Sequence, residues 1–327
     1  MPRSEEALAG LDRAAAERDA RVGATQRRER GVVHTPSSVA RFMARCIADR
    51  PGTVVDPACG PGVFLAACME EFAAPRHAIG MDVDGAAIED ARAALGPMAS
   101  RHGWALTLET RDTLGAPLAD VRGPLIVIGN PPWAGRSANR DARYTDALLD
   151  DFRRDANGAP LGERKIGVLS DDYVRFFRWA CEAVRRREGG ALAFVTNASF
   201  LDGPVHRGMR ARLLRWFASV DVIDLGGSAL VARRGDRDEN VFGVRPAAAI
   251  TIAIRPPDHD EASTPARMTH VALRGSRAQK LAQLEGSLER SILVPRPPPL
   301  HRQHDERHPE DEPRPRPHRP PTAPRQV

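Results

Sequence analysis

The strongest constraint on the fold of this chain is the alternation of short apolar runs with amphipathic stretches between residues 31 and about 256. Short apolar runs predict strands, and the amphipathic stretches between them predict helices that cover a sheet. The alternation therefore predicts an α/β fold with a doubly wound, mostly parallel sheet. The seven predicted strands are Thr53–Asp56, His77–Asp82, Leu106–Asp112, Leu125–Asn130, Ala191–Asn197, Val220–Leu225 and Ala248–Ile254. The predicted helices include Pro36–Ala48, Val63–Phe72, Gly85–Leu95, Asp172–Arg187 and Val205–Phe217.

The segments on either side of residues 31–256 differ from them in composition. Residues 1–30 are rich in alanine, arginine and glutamate, which predicts a charged helical lead-in. Residues 257–290 are expected to form a linker or a helical remnant. Residues 291–327 hold eleven of the 28 prolines, seven arginines and four histidines, with almost nothing apolar after Leu300. Such a segment cannot bury enough surface to offset its chain entropy, so we predict a disordered tail.

Charge and cysteine content narrow the class of protein. The net charge of +5 comes almost wholly from arginine, since Lys165 and Lys280 are the only lysines. Arginine suits phosphate contacts, but a GC-rich gene gives the same bias, so charge alone favours nucleic acid only slightly. The four cysteines form no CxxC pair and no Cys/His ligand spacing, which predicts no metal site and a reduced, cytoplasmic compartment. No run approaches the length of a membrane span, so no membrane partner is expected.

Four successive predicted strands end in polar residues that suit the parts of a nucleoside ligand. Asp56 ends the first strand and opens a turn containing Gly60 and Gly62, where glycine permits a close backbone approach to a ligand. Asp82 ends the second strand, and Asp112 ends the third. The fourth runs into Asn130-Pro131-Pro132-Trp133. One such acid is more often a cap or turn residue, but the ordered set predicts a ligand site at the carboxyl ends of the strands.

These residues resemble the DNA methyltransferases that modify the N6 amino group of adenine. Segment 31–36, Gly-Val-Val-His-Thr-Pro, resembles their amino-terminal motif, and segment 56–62 resembles their cofactor loop. The order, with the catalytic tetrapeptide downstream, is similar to the gamma arrangement. Segments 172–176 and 194–201 resemble the methylase part of large single-chain restriction–modification enzymes.

The resemblance implies the Rossmann-like fold of class I methyltransferases, S-adenosylmethionine as cofactor, DNA as substrate and a role in restriction and modification. It implies that residues of the first three strand ends and the amino-terminal motif bind the cofactor: Thr35, Asp56, Ala58, Gly60, Gly62, Asp82 and Asp112. It implies that the catalytic residues are Asn130, Pro131, Pro132 and Trp133. Trp133 and Phe242 would stack on the target base, although Phe242 taken alone is more typical of a core residue.

The chemistry of an adenine amino group explains the tetrapeptide. Its lone pair is delocalised into the ring, so two acceptors, one for each N–H, favour a pyramidal and more nucleophilic nitrogen. The Asn130 side-chain oxygen and the Pro131 carbonyl can supply them. Positioning then carries the reaction without a strong general base. His34 and His206 have no partner evident from the sequence, and we assign neither a proton transfer.

Several alternatives stay open at this point. The same two acceptors suit cytosine N4, an amino group of an RNA base or a glutamine amide of a protein. Family members that recognise a DNA sequence carry a recognition domain, for which the residues after Arg255 leave little room. The chain is therefore expected to work with a separate recognition subunit, or to be a truncated and inactive remnant whose tail is frameshifted after about Leu293.

Overall fold

The computed structural model describes residues 34–118, 121–133, 143–229, 238–262 and 266–286, together with Gly10. The rest of the predicted lead-in, the first three residues of the amino-terminal motif and the predicted disordered tail lie outside the described residues. Within the described residues, no helix is long and apolar enough to cross a membrane.

One sheet with the strand order β3-β2-β1-β4-β5-β7-β6-β8 organises the described chain. Its strands are β1 (Thr53–Asp56), β2 (His77–Asp82), β3 (Ala105–Thr110), β4 (Leu125–Gly129), β5 (Gly190–Asn197), β6 (Ser219–Gly226), β7 (Ala248–Arg255) and β8 (Arg267–Ala272). Strand β7 runs antiparallel to β5 and β6, and the other pairs are parallel. The predicted α/β fold with a mostly parallel sheet is therefore confirmed.

Helices cover both faces of the sheet. They are α1 (Ser37–Ile47), α2 (Val63–Glu71), α3 (Gly85–His102), α4 (Arg143–Leu148), α5 (Asp172–Arg185), α6 (Arg207–Trp216) and α7 (Arg277–Glu285). Helices α1, α2, α3 and α7 contribute to the core on one face, and α5 and α6 to the core on the other. Successive residues of a strand point to opposite faces, so Val54 lies in the first core and Val55 in the second.

The prediction of seven strands was wrong by one. The eighth strand, β8, lies in the segment that was expected to be a linker or helical remnant, and it pairs with β6 at the edge of the sheet. Its residues alternate between half-buried and exposed, and none of them is fully buried. The segment lacks the apolar run that reveals a central strand, because an edge strand packs against only one neighbour.

The first four strands end close to where the sequence predicts. Strand β3 is the exception, because it ends at Thr110 and Asp112 lies two residues beyond it. Asp112 instead caps a short 3₁₀ turn, Thr113–Gly115, and its side chain accepts a hydrogen bond from the Leu114 amide at 2.9 Å. The carboxyl ends of β1, β2, β3 and β4 lie side by side because these strands are parallel neighbours.

Candidate active site at the carboxyl ends of the strands

The loop between β1 and α2 has the backbone shape that the sequence predicts. Gly60 and Gly62 have φ angles of +51° and +93°, values that residues with a side chain rarely adopt. A β-carbon at Gly62 would lie 2.6 Å from the Leu95 side chain, so this glycine lets the loop pack on α3. A β-carbon at Gly60 would meet nothing within 4 Å among the described residues. The loop therefore presents open backbone at Gly60, where a ligand has room to approach.

Asp82 holds this loop against the end of β2. Its two carboxylate oxygens accept hydrogen bonds from the Gly60 amide and the Asp84 amide, each at 2.9 Å. The Cys59 amide donates to the Met81 carbonyl at 2.9 Å. Each oxygen of Asp82 keeps a further lone pair, so the carboxylate can shape the loop and still accept from a bound diol. The structure thus brings Asp82 and Gly60 together.

Asp56 is the most buried acid of the site. It has no exposed surface, and one oxygen accepts from the Ala58 amide at 3.1 Å. The other oxygen has no hydrogen-bond partner among the described residues. Burial raises the pKa of the Asp56 carboxyl well above its usual value, the Ala58 hydrogen bond lowers it less, and nearby Asp82 raises it further. A buried oxygen of this kind costs free energy unless a donor reaches it or the carboxyl is protonated.

Gly129 connects the loop of Asp56 to the tetrapeptide of residues 130–133. A β-carbon on Gly129 would lie 2.8 Å from an Asp56 carboxylate oxygen, so β4 can approach β1 this closely only with glycine at its last position. Asn130 follows directly and is therefore placed beside the loop between β1 and α2. On the other side of the loop, the Thr113 hydroxyl donates to the Pro57 carbonyl at 2.6 Å, which joins the Asp112 turn to the same edge.

Val83 is a feature of this edge that the sequence analysis missed. Its side chain is 71% exposed, although it directly follows Asp82 at the end of a buried strand. A single exposed apolar side chain is common on a protein surface, so Val83 contributes an apolar patch to this edge without by itself indicating a ligand. The signal in the sequence was a single valine between two aspartates, which is too short a pattern to distinguish from a turn.

The Asn130 side chain lies in a chain of hydrogen bonds with Thr35 and Trp133. Its amide nitrogen donates to the Thr35 hydroxyl at 3.0 Å, and its amide oxygen accepts from the Trp133 indole at 2.8 Å. Thr35 is only 4% exposed and directly precedes Pro36, from which α1 begins. The cofactor contact that the resemblance implies for Thr35 stays a prediction, and in the structure the Thr35 hydroxyl contacts Asn130.

Trp133 and Phe242 lie in contact with each other. Their ring centroids are 5.3 Å apart, and the rings meet edge to face at 72°. Two rings that stack on opposite faces of one base lie two stacking distances apart. Trp133 and Phe242 are closer than that, so no base fits between them in this arrangement. The two aromatic residues that the sequence analysis singled out are therefore neighbours, but one ring has to move before both can stack on a base.

Asn240 shapes the loop that carries Phe242. Its amide oxygen accepts from the Phe242 amide at 2.9 Å and the Val244 amide at 3.2 Å. Its amide nitrogen donates to the Gly227 and Pro246 carbonyls at 3.1 and 2.8 Å. All four hydrogen-bonding positions of this side chain are used, so Asn240 fixes the turn that presents Phe242.

Lys280 also supports the loop that carries Phe242, and no motif in the sequence indicates this role. Its ammonium group has no exposed surface and donates to the Leu225 and Glu239 carbonyls, each at 2.6 Å. It also pairs with an Asp238 oxygen at 2.7 Å. An ammonium with three donors and three acceptors is fully satisfied. The available signal was its rarity, since lysine occurs twice in a chain that otherwise uses arginine.

His206 is a buried structural residue on the opposite face of the sheet from α1. Its ring accepts from or donates to the Tyr173 hydroxyl at 2.9 Å, a partner that the sequence did not reveal. Burial and the nearby Arg210 charge lower the pKa of His206 to about 4, so the ring is neutral at pH 7. His34 lies immediately before Thr35 at the start of the described segment.

The sheet order, with antiparallel β7 between β5 and β6, and the glycine turn after β1 define the fold of the class I S-adenosylmethionine-dependent methyltransferases. A Listeria monocytogenes protein assigned to that class shares the fold with a TM-score of 0.52 and 17% identity, over 86% of this chain and 79% of that one. The structure of DrdV in complex with DNA gives a TM-score of 0.65 at 21% identity, over 80% of this chain and 30% of that one.

The N-6 DNA Methylase family model matches residues 20–158. The type II methyltransferase M.XamI of Xanthomonas campestris pv. amaranthicola is 28% identical over 206 residues, which are 61% of this chain and 34% of that protein. The chain thus resembles the N-6 DNA methylase family over residues 20–158, which are less than half of its length, and its motifs indicate the same family. It spans about a third of the length of the curated relatives that it matches.

Proposed function

We propose that this chain transfers a methyl group from S-adenosylmethionine to the N6 amino group of adenine in DNA, as part of a restriction–modification system. The observation that carries the proposal is the orientation of the Asn130 amide. Its oxygen accepts from the donor-only indole of Trp133, and its nitrogen is turned away towards Thr35. The tetrapeptide therefore presents an acceptor, which is what an amino group of a base requires.

The first three strand ends fit the proposed cofactor. Gly60 has open space beside its backbone, Asp56 has a buried oxygen without a partner in the described chain, and Val83 is an exposed apolar surface. These features match an aminoacyl ammonium group and an adenine ring, and Asp82 matches a ribose diol. We assign Ala58, Gly62 and Asp112 to the same site because they shape its walls. When bound, S-adenosylmethionine supplies an electrophilic methyl group on a sulfonium.

In the proposed reaction, the protein positions the amino group and lets its lone pair form the new bond. The Asn130 oxygen and the Pro131 carbonyl accept the two N–H groups and favour a pyramidal nitrogen. Pro132 follows Pro131 and restricts the backbone that carries this carbonyl. The N–C bond forms as the bond between methyl and sulfur breaks, and the surplus proton passes to water. Trp133 and Phe242 stack on the base once it has separated them.

DNA is the proposed macromolecular partner, and a stacked base in a duplex cannot reach the Asn130 oxygen. The target adenine is therefore flipped out of the helix or is already unpaired. A separate subunit that recognises the DNA sequence is a second proposed partner. The family match favours adenine in DNA over cytosine N4, an RNA base or a protein glutamine.

The experiment that tests this function uses the purified chain with unmethylated bacterial DNA and labelled S-adenosylmethionine. After digestion, the modified nucleoside is identified by mass, with Asn130→Ala as the matched control. N6-methyladenine that disappears in Asn130→Ala supports the proposal. Binding of the cofactor without label in any DNA, also after addition of an extract that contains candidate recognition subunits, contradicts it. Label in RNA or protein then identifies the acceptor.

A further inference from the structure

We propose that Thr35 is a positioning residue for Asn130, which holds the catalytic amide in the one orientation that accepts from the target base. The inference rests on the proposed function, because it assigns a part in the methyl transfer. It is carried by the hydrogen-bonded chain from the Thr35 hydroxyl through the Asn130 amide to the Trp133 indole.

The indole determines which end of the amide faces the aromatic pair. A tryptophan N–H is only a donor, so the atom of Asn130 at 2.8 Å from it has to be the oxygen. The NH₂ group then necessarily points the other way, where the Thr35 hydroxyl lies at 3.0 Å. A hydroxyl oxygen can accept, and at 4% exposure little water can compete for this position. The two neighbours therefore select one of the two amide orientations.

The contribution of Thr35 matters most when the base arrives. If Trp133 is the ring that moves to admit the base, its hydrogen bond to Asn130 is lost together with its edge-to-face contact with Phe242. Of the indole and the hydroxyl that orient the amide, the Thr35 hydroxyl then remains. It keeps the amide nitrogen turned away from the base. If the amide rotated by half a turn, its NH₂ group would face the amino group of adenine, and two donors would meet.

The fold holds Thr35 rigidly enough for this purpose. Pro36 follows it directly, and the Pro36 carbonyl accepts from the Val39 and Ala40 amides at 3.0 and 3.3 Å in the first turn of α1. Helix α1 buries Phe42 and Met43 completely against the core. The position of the hydroxyl is therefore fixed by the helix behind it, and not by the side chain that it orients.

The test compares Thr35→Val, which keeps the shape but removes the hydroxyl, with Thr35→Ser, which keeps the hydroxyl. Cofactor affinity is measured by calorimetry, and methyl transfer to unmethylated bacterial DNA is measured in single turnovers at saturating S-adenosylmethionine. We expect Thr35→Val to bind the cofactor within about twofold of wild type but to transfer on the order of 100-fold more slowly. Thr35→Ser should recover most of the rate. Thermal melting of both variants checks that they are folded.

The opposite pattern overturns the proposal. If Thr35→Val weakens cofactor binding tenfold or more, on the order of the loss of one hydrogen bond to a charged group, while the saturated rate is unchanged, Thr35 serves the cofactor. If the wild-type chain methylates no DNA, the proposed function fails, but the positioning role of Thr35 can still be tested. The measurement is then the resonance of the Asn130 side-chain NH₂ group in labelled protein. Its resonance, assigned by its loss in Asn130→Ala, should move and exchange faster in Thr35→Val but not in Thr35→Ser. An unchanged resonance in Thr35→Val contradicts the positioning role.

Discussion

The two halves of the site are built in different ways. The half proposed for the cofactor comes from strand ends that are neighbours in sequence, and backbone amides and glycines do most of its work, as in the contacts of Asp82 with Gly60 and Asp84. The half proposed for the base comes from distant segments, since Thr35, Asn130 and Phe242 meet only in the folded chain. The cofactor half thus forms around strand ends that follow one another in the chain, whereas the base half joins segments that lie far apart in it.

Variants that disable each half separately test whether the two halves of the site are independent. Asn130→Ala removes the acceptor without touching the glycine loop, so we expect methyl transfer to fall on the order of 1,000-fold with cofactor affinity near wild type. Asp82→Ala removes the side-chain acceptor of the Gly60 and Asp84 amides, so it should weaken cofactor binding on the order of 10- to 100-fold. Calorimetry and single-turnover transfer measure the two effects. If Asn130→Ala loses cofactor binding to the same extent as Asp82→Ala, the halves are not separate.

Lys280 tests whether the base half depends on distant support. Lys280→Met removes the ammonium donor from two carbonyls and the cation that pairs with Asp238, and removal of one partner of a buried ion pair costs roughly 3 kcal/mol of stability. The exposed Lys165→Met is the matched control and should change stability by less than about 0.5 kcal/mol. Urea unfolding measures both variants. Equal stability of the two would show that the contacts of Lys280 do not hold the Phe242 loop.

The same contrast explains what the sequence could and could not predict. Asp56, Gly60 and Asp82 follow apolar runs directly, so their place at one sheet edge was predictable from the strand pattern alone. Phe242 was identified only through a family resemblance, because a single phenylalanine in such a place is more typical of a core residue. Lys280 and Asn240 were not predictable, since their role arises from carbonyls on other segments. Strand β8 was missed because Arg267, Thr269 and His270 give it a polar, edge-strand composition.

Gly129 tests the junction between the halves. In Gly129→Ala the new methyl group would lie 2.8 Å from an Asp56 oxygen, so β1 and β4 have to move apart. We expect a loss of about 1 to 3 kcal/mol of stability, together with weaker cofactor binding and slower methyl transfer. Gly96→Ala is the control, because its methyl group meets nothing within 4 Å in the interior of α3 and should be neutral or stabilising. Normal cofactor binding by Gly129→Ala would mean that the close approach is not required.

The smallest expected effect is a pH dependence confined to the cofactor half. Burial raises the pKa of Asp56, so the free protein holds a proton there more tightly than the unfolded chain does, and this group favours folding as the pH falls. Binding of a cationic ammonium against Asp56 requires the carboxylate. Cofactor affinity should therefore fall by up to about tenfold per pH unit below the raised pKa, with release of one proton on binding.

Calorimetry in buffers of different ionisation enthalpy counts that proton directly. Asp56→Asn should bind the cofactor more weakly and with little dependence on pH, whereas Asp82→Asn should bind weakly but keep the dependence. The pH profile of methyl transfer at saturating cofactor should not follow Asp56, because the acceptors Asn130 and Pro131 do not titrate. If Asp56→Asn keeps the wild-type pH dependence of binding, the proton is released elsewhere and the buried oxygen of Asp56 is not the contact for the ammonium group.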